Sequence, residues 1–261
     1  MLSETHHSGA PGESELGCKQ QTMSIEVERK FVCNANSLKT LEEIGVCAGQ
    51  CQFQDRYFDT PEFDLTLSDV WLRQRKGCWE LKCPTTTVKG AEETRGESSK
   101  AAKLCTCYKE ITNVADIHLK LKEFLKDTGQ SVKFLMTEGC QTLTDRHGLG
   151  NAEMNWAPGE SWVSAMNLVC FAEFTTLRRT FTLEEDGVRV DLDQADFGYI
   201  VGEIEVLIPE GGDMQAALDK IERTGKKLGV NADQVVDGKM SVYLQRNYPA
   251  HYARLRSRYI L

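Results

Sequence analysis

The sequence predicts an α+β protein, mainly antiparallel β, with amphipathic helices able to cover one face of the strands if these close into a barrel. Three observations carry this. Most of the patterned chain alternates with period two, so that apolar and charged residues fall on opposite strand faces. Short turn signals such as Lys76-Gly77-Cys78 and Gln194-Ala195-Asp196-Phe197-Gly198 separate consecutive strands, as antiparallel neighbours require. Three segments with apolar residues at helical spacing are long enough to lie over a sheet.

Composition sets the outer bounds. A chain of 261 residues with 41% apolar content can build a substantial core. A net charge of −8 argues against nucleic acid or an anionic membrane as the main partner. Ten cysteines without a CxxC pair, and five scattered histidines, do not form a zinc pattern and read as reduced thiols in the cytoplasm. No apolar run reaches the roughly 18 residues of a membrane span.

Residues 1–22 are rich in Gly, Ser, Glu and His and read as a disordered extension preceding a single domain at 23–261. The first strand, 25–31, places Ile25, Val27 and Phe31 on one face and Glu26, Glu28 and Lys30 on the other; Arg29 is the misfit on the apolar side. Asn36 is the expected cap of a short helix stopped by Gly45. A strand at 51–59 ends at Thr60-Pro61. A hairpin follows, with Trp71, Arg73 and Arg75 aligned on its first strand and Glu80 and Lys82 on its second. Residues 84–103 read as a flexible loop. A strand at 104–111 carries Lys109 and Glu110, and Asn113 caps the next helix. Periodicity dissolves over 131–162, read as an insertion. The strand at 174–183 puts Leu177, Phe181 and Leu183 on one face and Thr176, Arg178, Thr180 and Thr182 on the other. A turn at 184–187 leads to a strand alternating Val188, Val190 and Leu192 with Arg189, Asp191 and Asp193. The last strand sets Ile204, Val206 and Ile208 against Glu203 and Glu205. Asp213 caps an amphipathic helix stopped by Gly229, and 236–258 reads as one or two helices with a basic end.

Collected, the polar faces hold Glu26, Glu28, Lys30, Arg73, Arg75, Glu80, Lys82, Arg178, Asp191, Asp193, Glu203 and Glu205, with Lys109 a further candidate. An apolar lumen would turn these charges outward, as in a lipocalin-like carrier. A polar lumen would turn them inward and put the apolar faces under the helices, and the helices favour this arrangement. Clustered carboxylates repel and take up protons unless a cation lies between them. Oxygen donors without His or Cys suit Mg²⁺, or Mn²⁺, rather than zinc. Arg and Lys on facing strands suit phosphate. A P-loop pattern is absent from the sequence, so a polyphosphate would be held by these fixed cations and a metal.

The run Ile25-Glu26-Val27-Glu28-Arg29-Lys30-Phe31 resembles the ExExK signature of the CYTH, or triphosphate tunnel metalloenzyme, family. Tyr57-Phe58-Asp59-Thr60-Pro61, Trp71-Leu72-Arg73-Gln74-Arg75, Trp79-Glu80-Leu81-Lys82, Tyr108-Lys109-Glu110, Arg189-Val190-Asp191-Leu192-Asp193 and Gly202-Glu203-Ile204-Glu205 extend the likeness. Lys239 and Val242-Tyr243-Leu244-Gln245-Arg246 complete it. The resemblance implies a closed eight-stranded antiparallel barrel and Mg²⁺-dependent hydrolysis of thiamine triphosphate to the diphosphate. It implies that Glu26, Glu28, Asp191, Glu203 and Glu205 hold metal. Lys30, Arg73, Arg75, Lys82, Arg178 and Lys239 would bind the triphosphate, and Trp71 would stack on the organic group. Lys30, Glu28 and Tyr57 are the implied catalytic set, Tyr57 standing where the family pairs a tyrosine with the first-strand lysine. The implied chemistry is in-line attack of a metal-activated water without a covalent intermediate. Adjacent Arg178 and Arg179 are separated by strand parity alone.

Two rivals remain at this level. One keeps the fold and acts on inorganic tripolyphosphate, a nucleoside triphosphate, or ATP by cyclase chemistry; the other is a non-catalytic polyphosphate-binding tunnel or an apolar-lumen carrier. The expected partner is a small-molecule triphosphate and the expected state a cytoplasmic monomer, with neither nucleic acid nor membrane.

Overall fold

Eight strands close into one antiparallel barrel in the order β1-β5-β4-β3-β2-β6-β7-β8. The computed structural model describes residues 24–85, 104–127, 161–183, 187–231 and 233–261. The expected extension at 1–22, residues 86–103 of the expected loop, 131–160 of the expected insertion and 184–186 of the expected turn lie outside the described residues.

The strands are β1 (Ser24–Phe31), β2 (Val46–Asp59), β3 (Trp71–Arg75), β4 (Cys78–Pro84), β5 (Cys105–Ile111), β6 (Val169–Leu183), β7 (Val188–Ala195) and β8 (Tyr199–Pro209). The helices are α1 (Ala35–Ile44), α2 (Val114–Asp127), α3 (Ser161–Ala165), α4 (Met214–Lys227), α5 (Lys239–Asn247) and α6 (Pro249–Ser257). The β3–β4 turn has Lys76 at φ 50° and Gly77 at φ 78°, the two left-handed positions of the hairpin turn whose twist suits antiparallel strands.

Period two turns one face of every strand outward, and the helices bury that face. Ala217, Leu218 and Ile221 of α4 pack on Val27, Phe31, Val190, Ile204 and Val206. Ile117, Leu121 and Leu125 of α2 pack on Leu72, Trp79 and Leu81. Each such side chain taken out of water contributes about 1.5–3 kcal/mol. Trp162 belongs to α3 and is buried against Trp79 and His118, so the irregular reading of the sequence ran one residue into a core contact. β1 and β8 approach closely where Gly202 faces Phe31; a Cβ there would lie 2.3 Å from the ring.

The lumen is polar, which overturns the apolar-lumen alternative. Two expectations need correction. The cap of α1 is Asn34, not Asn36: its side chain accepts from the Asn36 and Ser37 amides while Ser37 returns a bond to the Asn34 amide. Lys109 pairs with Ile25 in register and reaches Glu210 at 2.9 Å on the outside; the lumen side of β5 is Thr106, Tyr108 and Glu110, on the opposite parity.

Arg29, the misfit of β1, is buried outside the barrel, where Nη2 donates to the Asn231 carbonyl at 2.8 Å. Its guanidinium ties β1 to the segment that follows α4 and has no part in the lumen.

Candidate active site

Register decides which charges meet. Across β1 and β8, Glu28 stands opposite Glu205 and Lys30 opposite Glu203; across β7 and β8, Asp191 stands opposite Glu203. These three adjacent strands make a wall rich in carboxylates. Arg73 and Arg75 come from β3, Lys82 from β4 and Arg178 from β6. Lys239, the first residue of α5, enters from the loop side and is buried. The preceding Gly238 lies against Lys30, and a Cβ there would stand 2.9 Å from Lys30 Cε.

Every one of these cations is held by a carboxylate. Lys30 donates to Glu28 and Lys82 to Glu26, with Glu110 at 3.1 Å from Lys82. Arg73 meets Glu80 at 2.5 Å. Arg75 grips Asp55 through Nε and Nη2 at 2.6 and 2.7 Å. Arg178 grips Asp193 at 2.6 Å through both Nε and Nη2, reaches Glu203 at 3.0 Å and pairs with Asp191. Lys239 donates to Asp193 and to Glu203, the latter at 2.9 Å. Thr106 donates to Glu28 at 2.9 Å and Thr180 to Asp191 at 2.7 Å.

The carboxylates divide into two kinds. Against the cost of burial, Lys30 and Lys82 hold Glu28 below the ordinary range, and Lys239 and Arg178 hold Glu203 well below it. Burial pushes Glu26 up to about 8, with Glu28, Glu110 and Glu205 adding to the rise and Lys82 opposing it. Burial, with Asp191 beside it, pushes Glu205 up to about 6 against the pull of Arg189. Burial is thus the main cause of both rises, only partly offset by Lys82 and Arg189.

A cavity of about 300 Å³ opens into this lumen. Glu26, Glu28, Lys30, Tyr57, Trp71, Arg73, Arg75, Lys82, Arg178, Glu203 and Lys239 all line it. Asp191 and Glu205 do not line it; Asp191 is sealed beneath Arg178 and Arg189. Tyr57 stacks on Phe174, ring centroids 5.8 Å apart, while Lys30 turns to Glu28, so the two share the cavity without the direct pairing the family resemblance implied. Arg178 points inward, and Arg179 lies outside, 2.8 Å from Glu42 of α1. The same cavity is also lined by Trp71, Tyr108, Val235, Val236, Met240 and Ile260, and Trp71 stands opposite Lys82 in register, so aromatic and apolar surface lies beside the charged groups.

Asp55 and Asp69 were missed. The alternation Phe53, Asp55, Tyr57 was a usable signal for Asp55. Asp69 sits in a turn, where no periodicity applies; it accepts from Trp71 Nε1 at 3.1 Å and from Tyr108 OH at 2.8 Å.

A closed barrel whose lumen interleaves carboxylates with arginines and lysines defines a tunnel for a polyanion. The CYTH domain profile matches residues 24–237, and the chain belongs to the CYTH family. It is 36% identical over 240 residues to thiamine-triphosphatase of Homo sapiens, covering 88% of this chain and 89% of that protein. It is 35% identical over the same length to thiamine-triphosphatase of Macaca fascicularis, with the same shares covered. A solved structure from Pyrococcus horikoshii aligns with a TM-score of 0.48 at 16% identity, covering 85% of this chain and 99% of that one.

Proposed function

We propose that this protein hydrolyses thiamine triphosphate to thiamine diphosphate and phosphate, with Mg²⁺ as its cofactor and Mn²⁺ as a substitute. The observation that carries this is one cavity lined both by Lys30, Arg73, Arg75, Lys82, Arg178 and Lys239 and by the Trp71 indole with apolar side chains. The identity to human thiamine-triphosphatase over nearly the whole chain supports the same substrate.

Lys30, Arg73, Arg75, Lys82, Arg178 and Lys239 bind the triphosphate oxygens. In doing so they exchange carboxylate partners for phosphate, the arginines through paired N–H donors. Fixed before the reaction, they stabilise charge on the transferring and leaving oxygens without reorganising. Trp71 orients the organic group by stacking. Glu28, ionised between Lys30 and Thr106, orients the attacking water, and Tyr57 faces it from across the lumen, opposite Arg73 in register.

The metal's fit rests on the chemistry of the donors. Glu26, Glu28, Asp191, Glu203 and Glu205 are all oxygen ligands, which suits Mg²⁺, and Glu26 and Glu205 are raised chiefly by burial, a cost that a bound cation would offset. Among the described residues no three such groups converge as a ready cage, because Lys and Arg occupy them. A divalent ion bound there would add Lewis-acid charge to the phosphate oxygens.

Phosphate release from thiamine triphosphate, tripolyphosphate and ATP, with Mg²⁺ and with EDTA, tests the proposal. Thiamine triphosphate is expected to be preferred and EDTA to stop turnover. Glu28→Gln or Arg73→Ala is expected to lower kcat by at least about a hundredfold with the fold intact; a folded variant with undiminished rate sinks the assignment. The described cysteines are free thiols, which supports a reducing, cytoplasmic setting, and a monomer suffices because one chain closes the tunnel. Among the described residues no helix is long and apolar enough to cross a membrane.

A further inference from the structure

β4 lies between β3 and β5 in the barrel, so Trp71 and Tyr108 reach the cavity from strands once removed. Both end on the same atom: Trp71 Nε1 and Tyr108 OH donate to Oδ1 of Asp69, at 3.1 and 2.8 Å. Asp69 closes the short turn Thr66–Ser68 at φ 59° and ψ 31°, a left-handed conformation that Asp and Asn adopt more readily than other side chains except glycine.

That turn is anchored from below. The buried Asp59 carboxylate accepts the amides of Thr60, Leu65 and Thr66 at 2.7, 2.9 and 2.9 Å. Thr66 Oγ1 meets His251 of α6 at 2.9 Å. Asp69 is therefore a fixed carboxylate, and it joins two aromatic rings that share a cavity with six cations. A carboxylate bonded to an indole N–H fixes the plane of the ring. It also sets negative charge behind Trp71 and Tyr108, and an indole face itself attracts cations.

We propose that Asp69 is a positioning and specificity-determining residue. By bridging Trp71 and Tyr108 it sets the aromatic wall of the cavity for a flat, positively charged heteroaromatic group, such as a thiazolium, in preference to a neutral base or no base at all. This rests on the proposed hydrolysis of thiamine triphosphate and names which residue would give that site its substrate preference. No step of phosphoryl transfer passes through Asp69, so its removal should act on recognition.

The test is steady-state kinetics of the wild type, Asp69→Asn and Asp69→Ala on thiamine triphosphate, ATP and tripolyphosphate, with folding checked by circular dichroism. Asp69→Asn retains an acceptor oxygen and tolerates the left-handed backbone while losing the charge. It is expected to raise KM for thiamine triphosphate about tenfold with little change in kcat, and to affect tripolyphosphate several-fold less. Asp69→Ala is expected to go further in the same direction. If Asp69→Ala fails to fold, Asp69→Asn alone decides. Equal losses on all three substrates, or none, overturn the inference while leaving the proposed function standing. A wild type that ignores thiamine triphosphate overturns the proposed function and this inference together.

Discussion

Removing Arg178 should destabilise the barrel more than any other single lumen change, because it holds three carboxylates at once. Its guanidinium is 6% exposed and bonds Asp193, Glu203 and Asp191. Arg178→Ala leaves those groups with Lys239, Arg189 and Thr180 as remaining partners. Breaking a buried ion pair on one side costs about 3–5 kcal/mol, and at this size each kcal/mol lowers Tm by about 2–4 °C. A fall of roughly 6–20 °C in EDTA follows. The neighbouring Arg179 provides the control. It pairs with Glu42 at 2.8 Å on the surface, an arrangement worth at most about 1 kcal/mol. Thermal melts of both variants, with EDTA and with Mg²⁺, measure the difference; Mg²⁺ should restore more stability to Arg178→Ala than it adds to the wild type. A Tm for Arg178→Ala no lower than that of Arg179→Ala refutes the lumen assignment.

Two further predictions come from packing and charge. Gly202→Ala should cost about 1–3 kcal/mol or more, because its Cβ would meet the Phe31 ring across β1 and β8; urea unfolding measures it, and a neutral result would show that the two strands can part. In EDTA, Glu26 with its carboxyl at about 8 against an ordinary 4.5 contributes stability that is complete below pH 4.5 and lost as pH rises through 8. Tm should therefore fall between about pH 4.5 and 8 and level off above, with a shallower slope in Glu26→Gln; identical slopes in the two proteins would exclude Glu26 as the cause.

Much of the site was legible because strand parity is rigid. Period two placed Glu26, Glu28 and Lys30 together, aligned Trp71 with Arg73 and Arg75, and separated Arg178 from Arg179 without any knowledge of neighbours. The same rule left Lys109 ambiguous only while the edges of β5 were unknown; once Cys105 pairs with Arg29, Tyr108 and Glu110 must face inward. Helix caps were less sharply legible. Asn34 and Asn36 are both good caps, and the choice fell to Asn34 because Ser37 can complete a reciprocal bond with it.

What the sequence determined by itself is therefore which side chains share a face, and from that the kind of ligand a polar lumen of mixed charge could hold; that the charged face turns inward was decided by the folded barrel. What only the tertiary structure decided is which faces meet. β1 lies between β5 and β8, sixty or more residues away along the chain in either case, and no local pattern encodes that closure. From it follow the claims of Lys82 on Glu26, of Arg178 on Asp193 and Glu203, and the burial that raises Glu26 and Glu205. Asp69 belongs to the same category. A turn residue has no period to reveal its direction, and only the folded barrel brings Trp71 and Tyr108 to one carboxylate oxygen.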